Sequence, residues 1–116
     1  VPLPVLVDRT INALVEFENT HPGFTLIFNS AGISEDLKAA ADSITEAMIT
    51  DFERVISLKA PSIHGNDRRS AAQIAMSIIK GVLPLTMIKN SEQRDRVIIE
   101  FKRALLSYLS ALTDAT

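Results

Sequence analysis

The sequence contains no cysteine and no pair of histidines at metal-ligand spacing, and each absence argues against a class of site. Without cysteine, the 116-residue chain has no disulfide, no thiolate nucleophile and no cysteine metal site. This composition is consistent with a cytoplasmic protein. The two histidines, His21 and His64, lie far apart beside predicted turns, and no Glu-x-x-His motif occurs. The sequence therefore argues against a di-metal site within a helical bundle.

The chain also lacks an excess of basic charge and a long apolar run. Its 12 basic and 14 acidic side chains give a net charge of −2, whereas binding to nucleic-acid phosphates requires a basic surface. The most apolar stretch, residues 74–88, is shorter than the ~20 residues of a membrane span and contains Lys80. The first residues, VPLPVLVDRT, have no basic leader typical of a signal peptide. We expect neither DNA binding by this chain itself nor membrane insertion.

No residue pattern indicates catalysis. The four glycines form no phosphate-binding loop, and no base is placed beside a serine nucleophile. Asp51 and Glu53 lie two residues apart on a predicted helix and so do not face each other. Arg68 and Arg69, near a predicted helix start, favour a solvated face over an anion site. We therefore predict a protein that is not an enzyme and needs no cofactor.

The periodicity of the apolar residues predicts an all-α, five-helix bundle in one domain spanning residues 1–116. The predicted helices cover residues 5–19, 22–29, 34–59, 66–89 and 91–112. Pro4 suits a first helical turn and Ser34 suits an N-cap, while Asn90 followed by Gln93 resembles a capping box. Asn66 or Asp67 is the expected cap of the fourth helix. Pro84, deep within that helix, predicts a kink.

The third helix has one clear apolar stripe, and the surrounding helices supply aromatic and methionine side chains. The predicted stripe comprises Leu37, Ala41, Ile44, Met48, Phe52 and Val55, opposite a polar face that includes Glu46 and Glu53. A cavity between the first four helices would be lined by Phe17, Phe24, Phe28, Met48, Phe52, Met76 and Met87. Bundle cores can hold ligands, and methionine adapts to varied shapes. The alternative is that these side chains only fill the core.

The last two helices carry more apolar surface than one small core requires. The fourth is apolar over most of its circumference, with a stripe of small residues, and the fifth has a second stripe outside its main face. The expected dimer-interface residues are Ser77, Gly81, Pro84, Ile88, Ile99, Arg103, Leu106 and Ser110. We expect a homodimer in which these two helices of each subunit form a four-helix bundle. The alternative is a monomer with the fourth helix at its centre.

Two segments resemble bacterial TetR-type transcriptional regulators. INALVEFENTHPGFTLIFN, with His21-Pro22-Gly23-Phe24 at its centre, is similar to a helix, turn and short helix of that family. RRSAAQIAMSIIKGVLPLTMIKNSEQRDRVIIEFKRALLSYLSAL is similar to its last two helices, with the final helix reading Glu-hydrophobic-Lys-Arg-x-Leu-Leu-x-Tyr-Leu. The resemblance covers nearly the whole chain. It departs from the family in one respect, because no helix-turn-helix domain precedes Val1.

The resemblance implies a C-terminal regulatory domain that binds a small, largely apolar effector and forms a homodimer. The parent protein would be a ligand-responsive regulator, usually a repressor, that contacts DNA only through the missing N-terminal domain. The alternative function is a helical protein–protein interaction module with a filled core and no ligand. An enclosed apolar void of several hundred Å3 would separate the two, because that is the size of ligand sites.

Overall fold

The computed structural model describes residues 1–21 and 34–114, and every regular element in them is helical. The elements are α1 (Leu3–Thr20), α2 (Glu35–Lys59), α3 (Gly65–Val82), a 3₁₀ helix (Leu83–Met87) and α4 (Ser91–Asp114). The predicted all-α class is confirmed. The helix predicted at residues 22–29 lies outside the described residues, so the count of five helices stays a prediction.

Three of the four helices begin as their sequence signals predict. Pro4 lies in the first turn of α1, where its missing N–H leaves no intrahelical bond unmade. The backbone N–H of Leu37 donates to Ser34 Oγ at 3.3 Å, which caps α2. The N–H of Gln93 donates to Asn90 Oδ1 at 3.0 Å, which caps α4. Each of these helices has a local cause for where it starts.

The start of α3 was predicted incorrectly. The N-cap residue is His64, whose side chain makes no capping hydrogen bond, and Gly65 already lies within the helix. The N–H of Arg68 donates to the His64 carbonyl at 2.7 Å, which fixes the first turn through the backbone alone. Asn66 and Asp67 therefore belong to the first turn, where an acidic side chain is favoured by the helix dipole.

Pro84 ends α3 rather than kinking it. The α-helix ends at Val82, the N–H of its C-cap Leu83 donates to the Ile79 carbonyl, and the chain continues as the 3₁₀ helix Leu83–Met87. Proline has no N–H to donate, and its ring would clash with the carbonyl four residues earlier. The prediction of one α-helix continuing to Lys89 is therefore wrong, although the prediction that Pro84 disturbs the helix was right.

The helices pack as two pairs around a core centred on α3 and α4. α2 packs mainly along α3, and α1 packs mainly along α4, while α3 and α4 also contact each other. Ala72, Ala75 and Ile79 on α3 and Leu105 on α4 are fully buried. Alanines at these positions allow close approach of the neighbouring helices. The length and composition of Gly65–Met87 would also suit a membrane span, but these buried residues identify it as the central helix of this core.

α2 is rotated relative to its predicted stripe. Its buried residues are Ala41, Ile49, Phe52 and Ile56, whereas Leu37 and Ile44 are exposed. On the side of α2 that the sequence had assigned to the outer face, Glu46 and Glu53 pair with Arg69 of α3. Phe52 belongs to both the predicted and the observed stripe, while Met48 and Val55 lie half-buried at its edge.

Candidate functional site

A cavity lies in the cleft between α1 and α2. Because α1 packs on α4 and α2 packs on α3, the first two helices stand apart across this cleft among the described residues. The cavity has a volume of about 130 Å3 and is open to solvent. Its lining residues are Thr10, Met48, Asp51, Phe52 and Val55. It is the candidate ligand site.

The lining residues come together because of helical spacing. Met48, Asp51, Phe52 and Val55 lie at positions i, i+3, i+4 and i+7 of α2, which places them on one side of the helix. Thr10 faces them from α1, and its hydroxyl donates to the Leu6 carbonyl at 2.8 Å. With its proton engaged, the Thr10 oxygen is left as an acceptor. The described part of the site is thus a mainly apolar wall with two polar groups.

A second, smaller cavity of about 50 Å3 adjoins the first. The two share Thr10, Phe52 and Val55, and the remaining lining residues of the second are Leu3, Leu6, Val7, Leu105 and Leu109. These three shared residues form the partition between the cavities. Phe52 is the largest of the three, so the position of its ring determines how far the two cavities are continuous with each other.

The predicted ligand-site residues divide into four groups. Met48 and Phe52 line the cavity. Met76 is buried in the core on α3 and does not line it. Phe17 and Met87 are exposed, and the Phe17 ring stacks on His21 with centroids 4.2 Å apart. Phe24 and Phe28 lie outside the described residues, so their assignment stays a prediction.

Sequence reasoning missed three lining residues. Asp51 was considered only as an acid–base partner, and Val55 only as core. Both could have been found, because they lie on the same helical side as Met48 and Phe52. Thr10 had no comparable signal, because only the packing of α1 brings it to α2. His21 is the exposed C-cap residue of α1.

An ion cluster joins α2 to α3 beside the site. Arg69 Nη1 donates to Glu53 Oε1 at 2.7 Å, and Nη2 donates to the two carboxylate oxygens of Glu46 at 2.6 and 2.8 Å. The hydrogen bonds to Glu53 and then Glu46 raise the pKa of the Arg69 guanidinium above its ordinary value. Arg69 is 34% exposed, so the cluster lies on a partly solvated surface, where Arg69 is ion-paired. Because its charge is already balanced by two carboxylates, Arg69 does not offer an anion site.

Two open grooves lie along the exposed face of α3 and α4. One, of about 580 Å3, is lined by Val82, Leu85, Gln93, Arg96, Val97, Glu100, Phe101 and Ala104. The other, of about 430 Å3, is lined by Ser62, Ile63, His64, Asp67, Ser70, Ala71, Ile74, Tyr108 and Leu112. We call this surface, with the residues between the grooves, the α3–α4 face. Large apolar side chains are exposed on it, including Leu85 at 55%.

The predicted dimer residues fall on two different surfaces. Ser77 and Gly81 are exposed at i+3 and i+7 from Ile74, and thus belong to the α3–α4 face. An added Cβ at Gly81 would meet nothing within 4 Å. Pro84 and Ile88 are half-buried beyond the end of α3.

On α4, three of the four residues of the predicted stripe point away from the grooves, whereas Arg103 lies three residues after groove residue Glu100 and pairs with it at 3.2 Å. The stripe consists of Ile99, Arg103, Leu106 and Ser110. Ile99, Leu106 and Ser110 each lie two residues after a groove residue, namely Val97, Ala104 and Tyr108. Two residues correspond to about 200° around an α-helix, which places them on the opposite side. Leu106 is half-buried against the core, although Ile99 is 57% exposed.

Comparison with known families agrees with this architecture. The model of the family described as "Tetracyclin repressor-like, C-terminal domain" matches residues 2–109. No curated protein and no solved structure matches the chain significantly. Within the described residues, no three His, Cys, Asp or Glu side chains are grouped so as to hold a metal ion. A family match over almost the whole sequence, on an all-helical chain, leads to one conclusion: this chain belongs to the tetracycline repressor-like C-terminal domains of TetR-type transcriptional regulators.

Proposed function

We propose that this domain is the effector-binding and dimerisation domain of a TetR-type regulator, with the effector bound in the cleft between α1 and α2. The observation that carries the proposal is the cavity lined by Met48 and Phe52 in a chain of this family. A repressor is the usual form of such a regulator. DNA would be contacted by a separate N-terminal domain, and the protein would act in the cytoplasm as a regulator rather than as an enzyme.

The size of the cavity limits the effector. Ligand sites commonly measure about 300–1,000 Å3, whereas this cavity measures about 130 Å3 and is open, so it is not the enclosed void of several hundred Å3 expected for an effector site. A dry apolar cavity of about 150 Å3 is large enough to bind benzene. The site therefore suits a single ring or a short branched alkyl group. A larger effector would require the Phe52 ring to move so that the adjoining cavity becomes continuous with the first.

The alternative, a protein–protein interaction module without a ligand, is supported by the two grooves of the α3–α4 face. Their volumes of about 580 and 430 Å3 exceed that of the cleft cavity. In our proposal this face is covered by a second copy of the chain. The interface would then involve Ile74, Ser77, Gly81 and Leu85, rather than the Ile99–Ser110 side of α4.

Native mass spectrometry of the purified protein under gentle conditions tests both parts of the proposal. We expect a mass of two chains, with a small co-purified molecule where the effector is present in the expression host. A dimer without a small molecule would support the architecture, and the cavity would then be tested with the probes described below. A bare monomer at micromolar concentration would contradict the proposed dimer and favour the interaction module.

Substitutions on the α3–α4 face test the proposed interface. Gly81→Glu and Leu85→Glu should each convert the dimer to a monomer, because they bring a charge into the apolar contact of two copies. Both positions have room for the new side chain in a single chain, so folding should be retained. Leu58→Glu is the control, since Leu58 on α2 is 75% exposed and lies outside both grooves. Sedimentation analysis that finds all three variants dimeric would exclude this interface.

A further inference from the structure

The polar groups of the cleft cavity identify the chemistry of its ligand. Among the described lining residues, Asp51 is the one charged side chain, and none is basic. The second polar group is the Thr10 hydroxyl, whose proton is donated to Leu6. The described lining thus presents a carboxylate and a hydroxyl oxygen as acceptors, with no side-chain donor left unengaged.

The Asp51 carboxylate is available to a ligand. Its protein partner is Arg54, with Nη1 at 3.3 Å from Oδ1, and both side chains are more than two-thirds exposed. Such exposed pairs at i,i+3 spacing contribute little to stability, so a ligand cation can replace the guanidinium at small cost. The cavity is open to solvent, which allows a ligand to place its apolar part inside and its polar head at Asp51.

From this arrangement we infer that the site takes a small amine: a compact apolar group inside the cavity and a protonated nitrogen that donates to Asp51 and Thr10. An ammonium group supplies up to three donors, which matches a site that offers acceptors. A carboxylate ligand would bring a like charge to Asp51 and is disfavoured. The inference rests on the proposed function, because it requires that the cleft cavity is the effector site.

Three probes of similar shape test the inference: benzylamine, benzyl alcohol and benzoate, each followed by ligand-observed NMR at millimolar concentration. We expect the Kd of benzylamine to be about fivefold lower than that of benzyl alcohol, the ratio that an exposed ion pair of about 1 kcal/mol provides. Benzoate should bind more weakly than either. The preference for the amine should diminish as salt is added, because the head group stays near solvent.

Two variants that each replace one aspartate by asparagine test whether Asp51 causes the preference for benzylamine. Asp51→Asn should remove the preference for benzylamine while leaving the affinity for benzyl alcohol within twofold. Asp42→Asn is the control, since Asp42 also lies on α2 and also pairs with a cation, Lys38 at 3.2 Å, but does not line the cavity. This variant should keep the full preference, which excludes a general attraction of amines to an acidic protein.

The outcomes separate this inference from the proposed function. Equal affinity for benzylamine and benzyl alcohol, unchanged in Asp51→Asn, would overturn the inference and leave the cleft as a site for neutral ligands. A preference lost equally in both variants would also overturn it. No binding of benzyl alcohol or of the amine at millimolar concentration would contradict the cleft as the effector site, and both proposals would fail together.

Discussion

Removing the Phe52 ring provides a direct test of the cleft, with Phe101 as its comparator. Phe52 is 9% exposed and forms part of the partition between the cavities of about 130 and 50 Å3. Phe101 is 1% exposed and packs in the core from α4. Substitution of each by alanine removes the same atoms from two different surroundings.

The structure predicts which of the two substitutions lowers the free energy of unfolding more, and by roughly how much. Phe→Ala in a core lowers the free energy of unfolding by about 3–5 kcal/mol. We expect about 3 kcal/mol for Phe52, because one side of its ring already borders a void and lacks contacting atoms there. For Phe101 we expect about 4 kcal/mol. At this chain length, the loss for Phe52 corresponds to a decrease in Tm of about 12 °C.

Ligand binding should distinguish the two variants more sharply than stability. Phe52→Ala joins the two cavities, so an amine with a two-ring apolar group should gain affinity relative to benzylamine. Phe101→Ala leaves the cleft unchanged and should leave that ratio within twofold. Urea unfolding at one fixed protein concentration measures the stability terms, because dimer formation makes them concentration-dependent. Ligand-observed NMR measures the affinity ratio.

Two results would refute this reasoning. An equal change of the affinity ratio in Phe52→Ala and Phe101→Ala would show that the cleft is not where the probes bind. A loss of less than about 1 kcal/mol in Phe52→Ala would show that the ring is not packed as described, since even partly relaxed cavities cost more than this.

Three further predictions concern the contacts that hold the helices. Asn90→Ala should lower the free energy of unfolding by about 1 kcal/mol, and Ser34→Ala by less because its capping bond is longer at 3.3 Å. Arg69→Gln should lower Tm, and the difference from the unmodified protein should shrink with added salt. Lys102→Met, which removes the 2.7 Å pair with Asp8 on α1, should cost no more than about 1 kcal/mol by urea unfolding.

Contrary outcomes would identify specific errors. A larger loss for Ser34→Ala than for Asn90→Ala would contradict the order of the two caps. A salt-independent effect of Arg69→Gln would indicate that its aliphatic portion, rather than its charge, is what matters. Because the pKa of Arg69 is raised by its carboxylate partners, its favourable contribution is fully present below the ordinary pKa of arginine and is lost only at higher pH. The effect of Arg69→Gln should therefore not depend on protonation of the guanidinium between pH 6 and 9.

Local signals were readable from the sequence, whereas the rotation of helices was not. The caps at Ser34 and Asn90 depend on residues three positions apart, so neighbouring letters determine them. α2 has apolar residues on more than half of its circumference, and the sequence alone assigned Ile44 to the core instead of Ile49. The orientation of α2 depends on contacts with other helices, such as that of Glu53 with Arg69, 16 residues further along the chain, and these cannot be read from the residues of α2 alone. The cleft was only partly predicted for the same reason, since Thr10 belongs to another helix.

Because the helices pack as two pairs, a ligand in the cleft would act on the position of one pair relative to the other. The Arg69 cluster joins α2 to α3, and the pair of Lys102 with Asp8 joins α4 to α1, so the cleft lies between two helix pairs that are connected through the contact of α3 with α4. α1 spans 18 residues, or about 27 Å. A ligand that separates the two helix pairs and tilts α1 by about 5° about its C-terminal end would displace the first turn of this helix by about 2 Å, given its length. A molecule the size of one aromatic ring would thus displace the first turn of α1 by more than a covalent bond length.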